Sequence, residues 1–114
     1  MEWTTERRYR RYEDWSNDEI KQIKETMAQS PWHTRYHVEP KIGLLNDPNG
    51  FSYFDGKWIL FYQNFPFGAA HGLKSWVQLE SDDLVRFTET GVKVLPDTPL
   101  DSHGAYSGSA MQFG

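Results

Sequence analysis

Phe51-Ser52-Tyr53-Phe54-Asp55-Gly56-Lys57-Trp58-Ile59-Leu60-Phe61-Tyr62-Gln63 decides the fold. Asp55-Gly56 between two aromatic-rich runs predicts a hairpin, because a two-residue turn demands positive φ and these residues tolerate it. Side chains alternate along a strand, so Trp58, Leu60 and Tyr62 share one face and Ile59, Phe61 and Gln63 the other. With apolar groups on both faces, this strand is expected to be central and buried on both sides.

Further strands follow toward the C-terminus. A Gly- and Ala-containing loop is expected over Asn64 to Lys74 and a third strand over Trp76 to Glu80. Ser81-Asp82-Asp83 reads as a turn, and Arg86 to Glu89 as a short fourth strand. Four consecutive antiparallel strands describe one β-propeller blade, and equally any four-stranded meander. Pro96 to Gly104 reads as a connection and Tyr106 to Phe113 as the first strand of a second unit. Toward the N-terminus, Asn49-Gly50 marks a tight turn. Residues 1–30 read as helical. Ser16 opens a capping box closed by Glu19, Ile20, Ile23 and Met27 fall on one face, and Lys21 and Glu25 can pair. A shorter helix is expected from Glu6 to Asp14. The chain thus divides into a helical segment, 1–30, and a β-rich part, 31–114.

Composition narrows the classes. The 114 residues suffice for one small domain, and 38% hydrophobic with 25% charged residues is a globular balance. A net charge of −4 argues against nucleic acid as a partner. Six of the 12 Lys and Arg fall in the first 24 residues, which reads as a solvated helical face. The absence of cysteine excludes disulfides and a thiol nucleophile. No apolar run is long enough to span a membrane, and the charged Glu6 to Arg11 stretch does not read as a signal peptide. A cytoplasmic protein without a membrane partner is therefore expected. His33, His37, His71 and His103 make no compact ligand pattern, so no metal site is expected and no cofactor either.

Asn46-Asp47-Pro48-Asn49-Gly50 carries the chemistry. Pro48 pushes Asp47 out of the α region, and Asn49-Gly50 turns the chain afterwards. Its carboxylate is thereby held in a fixed direction, as an attacking nucleophile requires. Gln63 closes an aromatic strand with an amide that both donates and accepts. Tyr106-Ser107-Gly108-Ser109 places a ring and two hydroxyls around a glycine that permits close approach. Each motif alone also fits an ordinary turn or strand end.

In this order the motifs resemble glycoside hydrolase family 32. The resemblance runs from about Trp32 to Gly114. It includes the Asn-Asp-Pro-Asn-Gly block, Phe61-Tyr62-Gln63, Trp76 followed by Ser81, Asp83 and Leu84, Asp101 with Gly104, and the aromatic-Ser-Gly-Ser block. The helical leader and Leu44-Leu45 are most similar to its sucrose-6-phosphate hydrolase branch. The resemblance implies an all-β fold: the first blade and the start of the second blade of a five-bladed propeller, preceded by the helical segment and usually followed by a β-sandwich. It implies retaining cleavage of a β-fructofuranosyl bond in sucrose 6-phosphate or sucrose, with Asp47 as nucleophile. Leu44, Leu45, Asn46, Gln63, Tyr106 and Ser107 would contact the sugar. The acid/base Glu belongs to a block not present here, and Glu80 and Glu89 do not match it. The chain is therefore expected to be a piece of such an enzyme, inactive alone. Lys41, Arg35 and Lys74 are candidates for a phosphate contact by charge only. A non-catalytic fructosyl-binding module, an invertase or fructan hydrolase, and a partner-binding basic arm are the alternatives.

Overall fold

The structure is a computed structural model that describes residues 2–31, 38–111 and 113. The His33/His37 pair, Arg35 and the start of the family resemblance at Trp32 lie outside these residues. One antiparallel sheet forms the body, with strands β1 (Leu44–Phe54), β2 (Lys57–Phe65), β3 (Ser75–Ser81) and β4 (Thr88–Val94) paired in chain order. It has the form of one propeller blade. The hairpin closes at Asp55-Gly56, both at positive φ, with Phe54 opposite Lys57.

The first strand differs from expectation. Asn49-Gly50 is no turn: β1 runs straight through Asn-Asp-Pro-Asn-Gly, pairing Pro48 with Tyr62 and Asn49 with Phe61. Two register irregularities, at 45/48 and 49/52, absorb the residues that cannot pair. An edge strand tolerates Pro48, which has no N–H to give. Gly50 sits at φ +56, and a Cβ there would meet Phe61 Cδ2 at 2.8 Å. Only glycine fits such a bulge without strain.

Three boundaries shift. β2 continues to Phe65, because Asn64 ties this end down: its Nδ2 donates to the carbonyls of Ile42 and Leu44, each at 3.0 Å. The fourth strand lies later than expected, at Thr88–Val94, because residues 81–86 are consumed by a turn. Ser81 Oγ accepts from the Leu84 N–H, and Asp83 Oδ1 accepts from the N–H groups of Val85 and Arg86. The Arg86 and then Val85 amides hold the Asp83 carboxyl below its ordinary value. Residues 106–111 form no ladder; they lie across β1 to β3 through individual hydrogen bonds.

Both faces of β2 carry packing, as the hairpin reading requires. One face buries Tyr62, Val77 and Leu79, flanked by Leu45, Leu60 and Phe87. The other sets Phe61 against Trp76 at 5.4 Å. At the Phe65 end the N-terminal arm docks. Helix α2 (Asn17–Ala28) has the expected capping box, with Ser16 Oγ accepting from the Glu19 N–H and the Glu19 carboxylate from the Ser16 N–H. The earlier helix does not form over Glu6 to Asp14. A single turn, α1 (Thr5–Arg8), gives way to a 3-10 turn at Tyr12–Asp14. The break lets Trp15 stack on Phe67 at 4.1 Å and lets Trp3 meet Phe65 edge-on at 5.6 Å.

The basic residues of the arm are not simply solvated. Arg10 lies 4.8 Å over the Trp15 ring and Arg7 5.4 Å from it, while the Glu19 carboxylate accepts a hydrogen bond from Arg10 at 3.2 Å and pairs with Arg7 at 3.8 Å. A planar, weakly hydrated cation is suited to an aromatic face. Arg11 and Lys21 pair at the surface with Glu13 and Glu25.

Candidate functional site

Asp47 stands exposed at the first irregularity of β1. Its neighbour two residues on holds the local geometry. Asn49 is buried, and its Nδ2 donates to the Asp47 carbonyl at 2.9 Å while its Oδ1 accepts from the Gly108 N–H at 3.1 Å. The Gly50 N–H in turn donates to the Gly108 carbonyl at 3.3 Å. The bulge and the Tyr106-Ser107-Gly108-Ser109 block are thus laced together. Above this lacing, Ser107 Oγ donates to Asp47 Oδ2 at 2.8 Å, joining side chains 60 positions apart.

The preceding segment is set down by β2 and β3. Gln63 Nε2 donates to the Ala105 carbonyl at 2.8 Å, and Trp76 Nε1 to the Tyr106 carbonyl at 3.1 Å. The Ala105 N–H donates to the Lys74 carbonyl at 2.8 Å. Gly104, at φ +123, makes this possible: a Cβ there would come within 3.0 Å of Lys74 N. A 3-10 turn, Pro99–Asp101, precedes it, capped reciprocally by Thr98 and Asp101. Asp101 and Gly104 therefore shape the approach of the chain to the site, and Ser81 and Asp83 shape a distant turn.

A cavity of about 520 Å³ opens here. Gln63, Tyr106 and Ser107 line it, together with Tyr9, His71, Lys74 and His103. Partial burial lowers the Lys74 ammonium from its ordinary value, and the Asp47 carboxylate opposes that shift. Lys74 Nζ lies 2.7 Å from His71 Nδ1. Just before Asp47, the Oδ1 of Asn46 is buried with no hydrogen-bond partner among the described residues. Buried acceptors are rarely left unpaired, so this atom suits a ligand hydroxyl.

The structure brings together Asp47, Gln63, Tyr106 and Ser107 from the expected set. Leu44 and Leu45 do not join them. Leu44 packs against the Trp15, Phe65 and Phe67 cluster and Leu45 against Tyr62, Val77 and Leu79. They are drawn to these clusters because consecutive strand residues point to opposite faces and an apolar layer waits on each. Lys41 is also displaced: it pairs with Glu89 at 3.6 Å beside a larger cavity of about 770 Å³, which shares no lining residue with the first. Glu89 additionally accepts from the Tyr62 hydroxyl, and Glu80 is taken up by Lys57 and Gln78. Asn49, the strut of the site, escaped notice because its neighbour Gly50 made it read as a turn residue. Tyr9 escaped because nothing local ties an arm residue to a strand end. Among the described residues no group of three or more His, Asp or Glu is placed to hold a metal.

Residues 37–114 match the family model for the glycosyl hydrolases family 32 N-terminal domain. The chain is 71% identical over 107 residues to a sucrose-6-phosphate hydrolase of Streptococcus mutans, covering 94% of this chain and 22% of that protein. Among solved structures, the sucrose-6-phosphate hydrolase of Lactobacillus gasseri matches with a TM-score of 0.93 at 50% identity, over 98% of this chain and 23% of that one. A Bombyx mori β-fructofuranosidase variant, solved with sucrose, matches with a TM-score of 0.67 at 29% identity, over 88% of this chain and 22% of that one. The chain spans about a fifth of the length of the relatives it matches.

Proposed function

This chain belongs to glycoside hydrolase family 32, and from that membership we propose that it is the N-terminal part of a retaining β-fructofuranosidase acting on sucrose 6-phosphate. One observation carries the reading: the 2.8 Å hydrogen bond from Ser107 to Asp47 draws the two motif blocks to one point at the mouth of a cavity.

The chemistry follows from that placement. An Asp47 carboxylate oxygen attacks the anomeric carbon of the fructosyl unit. The new C–O bond forms as the glycosidic C–O bond breaks, and the leaving oxygen takes a proton from a second carboxyl group. Water then releases fructose from the covalent intermediate. In retaining enzymes the two carboxyl groups stand about 5–5.5 Å apart. Glu80 and Glu89 are held by other partners, so the proton donor is assigned to a part of the protein outside this chain. Ser107 orients the nucleophile, Asn46 Oδ1 accepts a fructosyl hydroxyl, and Gln63 and Tyr106 wall the fructosyl subsite.

Further blades and a β-sandwich are the proposed neighbours within the complete protein. Exposed rings at Phe51, Tyr53 and Phe54, and outer edges of β1 and β4 that no further strand joins among the described residues, support that. A sugar is the proposed small-molecule partner. A cytoplasmic site of action is proposed because a phosphorylated disaccharide does not cross a bilayer unaided.

Asp47→Asn in the complete protein tests the assignment. Loss of the nucleophile should cut turnover of sucrose 6-phosphate by about a thousandfold or more, with the thermal transition preserved. Near-normal turnover would refute the role of Asp47. A wild-type protein that binds the sugar without cleaving it would make this a fructosyl-binding module instead.

A further inference from the structure

The cavity beside Asp47 has a wall that the fructosyl chemistry leaves unused. It is made by Tyr9, His71, Lys74 and His103. This chain carries 16 acidic residues against 12 Lys and Arg, yet among the described residues no carboxylate lines the cavity. Its polar lining is all ring nitrogen, hydroxyl, amide or ammonium.

Lys74 is the charged member, and its position is fixed from several sides. The Leu73 N–H donates to the Arg8 carbonyl and the Tyr12 hydroxyl donates to the Leu73 carbonyl, each at 2.8 Å. One residue on, the Lys74 carbonyl accepts from Ala105. The ammonium donates to His71 Nδ1, which puts the remaining imidazole proton on Nε2. None of the ion pairs among the described residues uses Lys74. His103 is oriented as well: its ring packs on Tyr9 at 5.5 Å, and its Nδ1 lies 3.2 Å from Ser102 Oγ. The arm therefore contributes directly to the wall.

We propose that this wall receives the phosphoryl group of the substrate, with Lys74 as its charged contact and His71 and His103 as flanking donors. The assignment rests on the proposed fructosidase reading and adds the subsite for the leaving half of the sugar. A phosphoryl group offers three strong acceptor oxygens and up to two negative charges, and a compact ammonium beside imidazole N–H donors answers both. Lys74 also offsets the repulsion between the phosphoryl group and the Asp47 carboxylate.

The test compares kcat/KM for sucrose 6-phosphate and for sucrose in the complete protein. Lys74→Met should lower the ratio of the two by about tenfold to a hundredfold, the loss of one charge-assisted contact. The fall should appear mainly in KM for the phosphorylated sugar. Lys74→Arg should recover much of the preference, and His103→Gln should lower it in the same direction. An unchanged ratio in Lys74→Met and His103→Gln, whatever happens to overall rate, overturns the subsite. A wild-type protein that cleaves neither sugar overturns the underlying fructosidase reading instead, so the two failures are distinct.

Discussion

Asn49 is the most informative residue to remove, because it touches the chemistry only through its two hydrogen bonds. Asn49→Ala strips the donor from the Asp47 carbonyl and the acceptor from the Gly108 N–H. Both partners sit on exposed residues, so water takes up part of what is lost. The stability cost should be about 1–2 kcal/mol, near that of one imperfectly replaced hydrogen bond. The catalytic cost should be much larger. Asn49 sets the distance between the Asp47 backbone and the Ser107-Gly108 backbone, and a displacement of about 1 Å at an attacking atom costs about a hundredfold in rate. The expected result in the complete protein is a fall of about a hundredfold in kcat, with KM much less affected and a melting temperature lower by about 1–4 °C, since a larger protein moves less per kcal/mol. Asn49→Asp separates the two bonds: an ionised carboxylate still accepts from Gly108 but faces the Asp47 carbonyl oxygen without a proton to donate. It should lose as much turnover as the alanine variant. Steady-state kinetics beside a thermal melt decides the matter. Turnover within about twofold of wild type in Asn49→Ala, with an unchanged melt, would show that Ser107 alone aims the nucleophile and that the strut reasoning is wrong.

Two further outcomes follow from the arm and the bulge. Burial raises the Tyr12 hydroxyl from 10.0 to about 12. The folded pKa lies above the unfolded one, so this group's stabilisation is whole below pH 10 and drains away as pH rises toward 12. Tyr12→Phe should lower stability by about 1 kcal/mol at neutral pH and flatten the alkaline fall, read by denaturant titrations across that window; an identical alkaline profile would remove Tyr12 as its source. Gly50→Ala meets both the positive φ and Phe61, and it should destabilise by about 1–3 kcal/mol in chemical denaturation; a neutral result would mean that the bulge relaxes freely.

The hairpin at Asp55-Gly56 and the capping box at Ser16 were legible because each signal is complete within a few residues. Asp47 stands out from an ordinary turn carboxylate only through companion motifs spread over 60 positions, and the structure joins it to one of them, Ser107. What misled was local chemistry overruled by pairing. Asn49-Gly50 has the composition of a turn, yet β2 offers a ladder that a bulged edge strand can join without turning. Leu44 and Leu45 stand at positions where the resemblance implies sugar contact, and the structure shows each of them partly buried against an apolar cluster, which no local pattern announces. Arg7 and Arg10 look like solvated charge until the Trp15 ring beneath them is known. His71, Lys74 and His103 could not be joined from sequence, because the junction depends on where a break in the arm sets Tyr9 and Tyr12.

The strand order β1-β2-β3-β4 has a consequence for the order of folding. Every ladder joins neighbours in the chain, so the sheet is assembled from short loop closures that form early. The Ser107–Asp47 contact and the Tyr12–Leu73 tie each close about 60 residues. Contacts of that span form late, after the strands that present them are in place. Substitutions at Asp47, Asn49, Ser107 or Tyr12 should then leave the folding rate almost untouched and appear in the unfolding rate. A nascent molecule would hold a finished blade before it holds a site, and the last structure gained would be the first released.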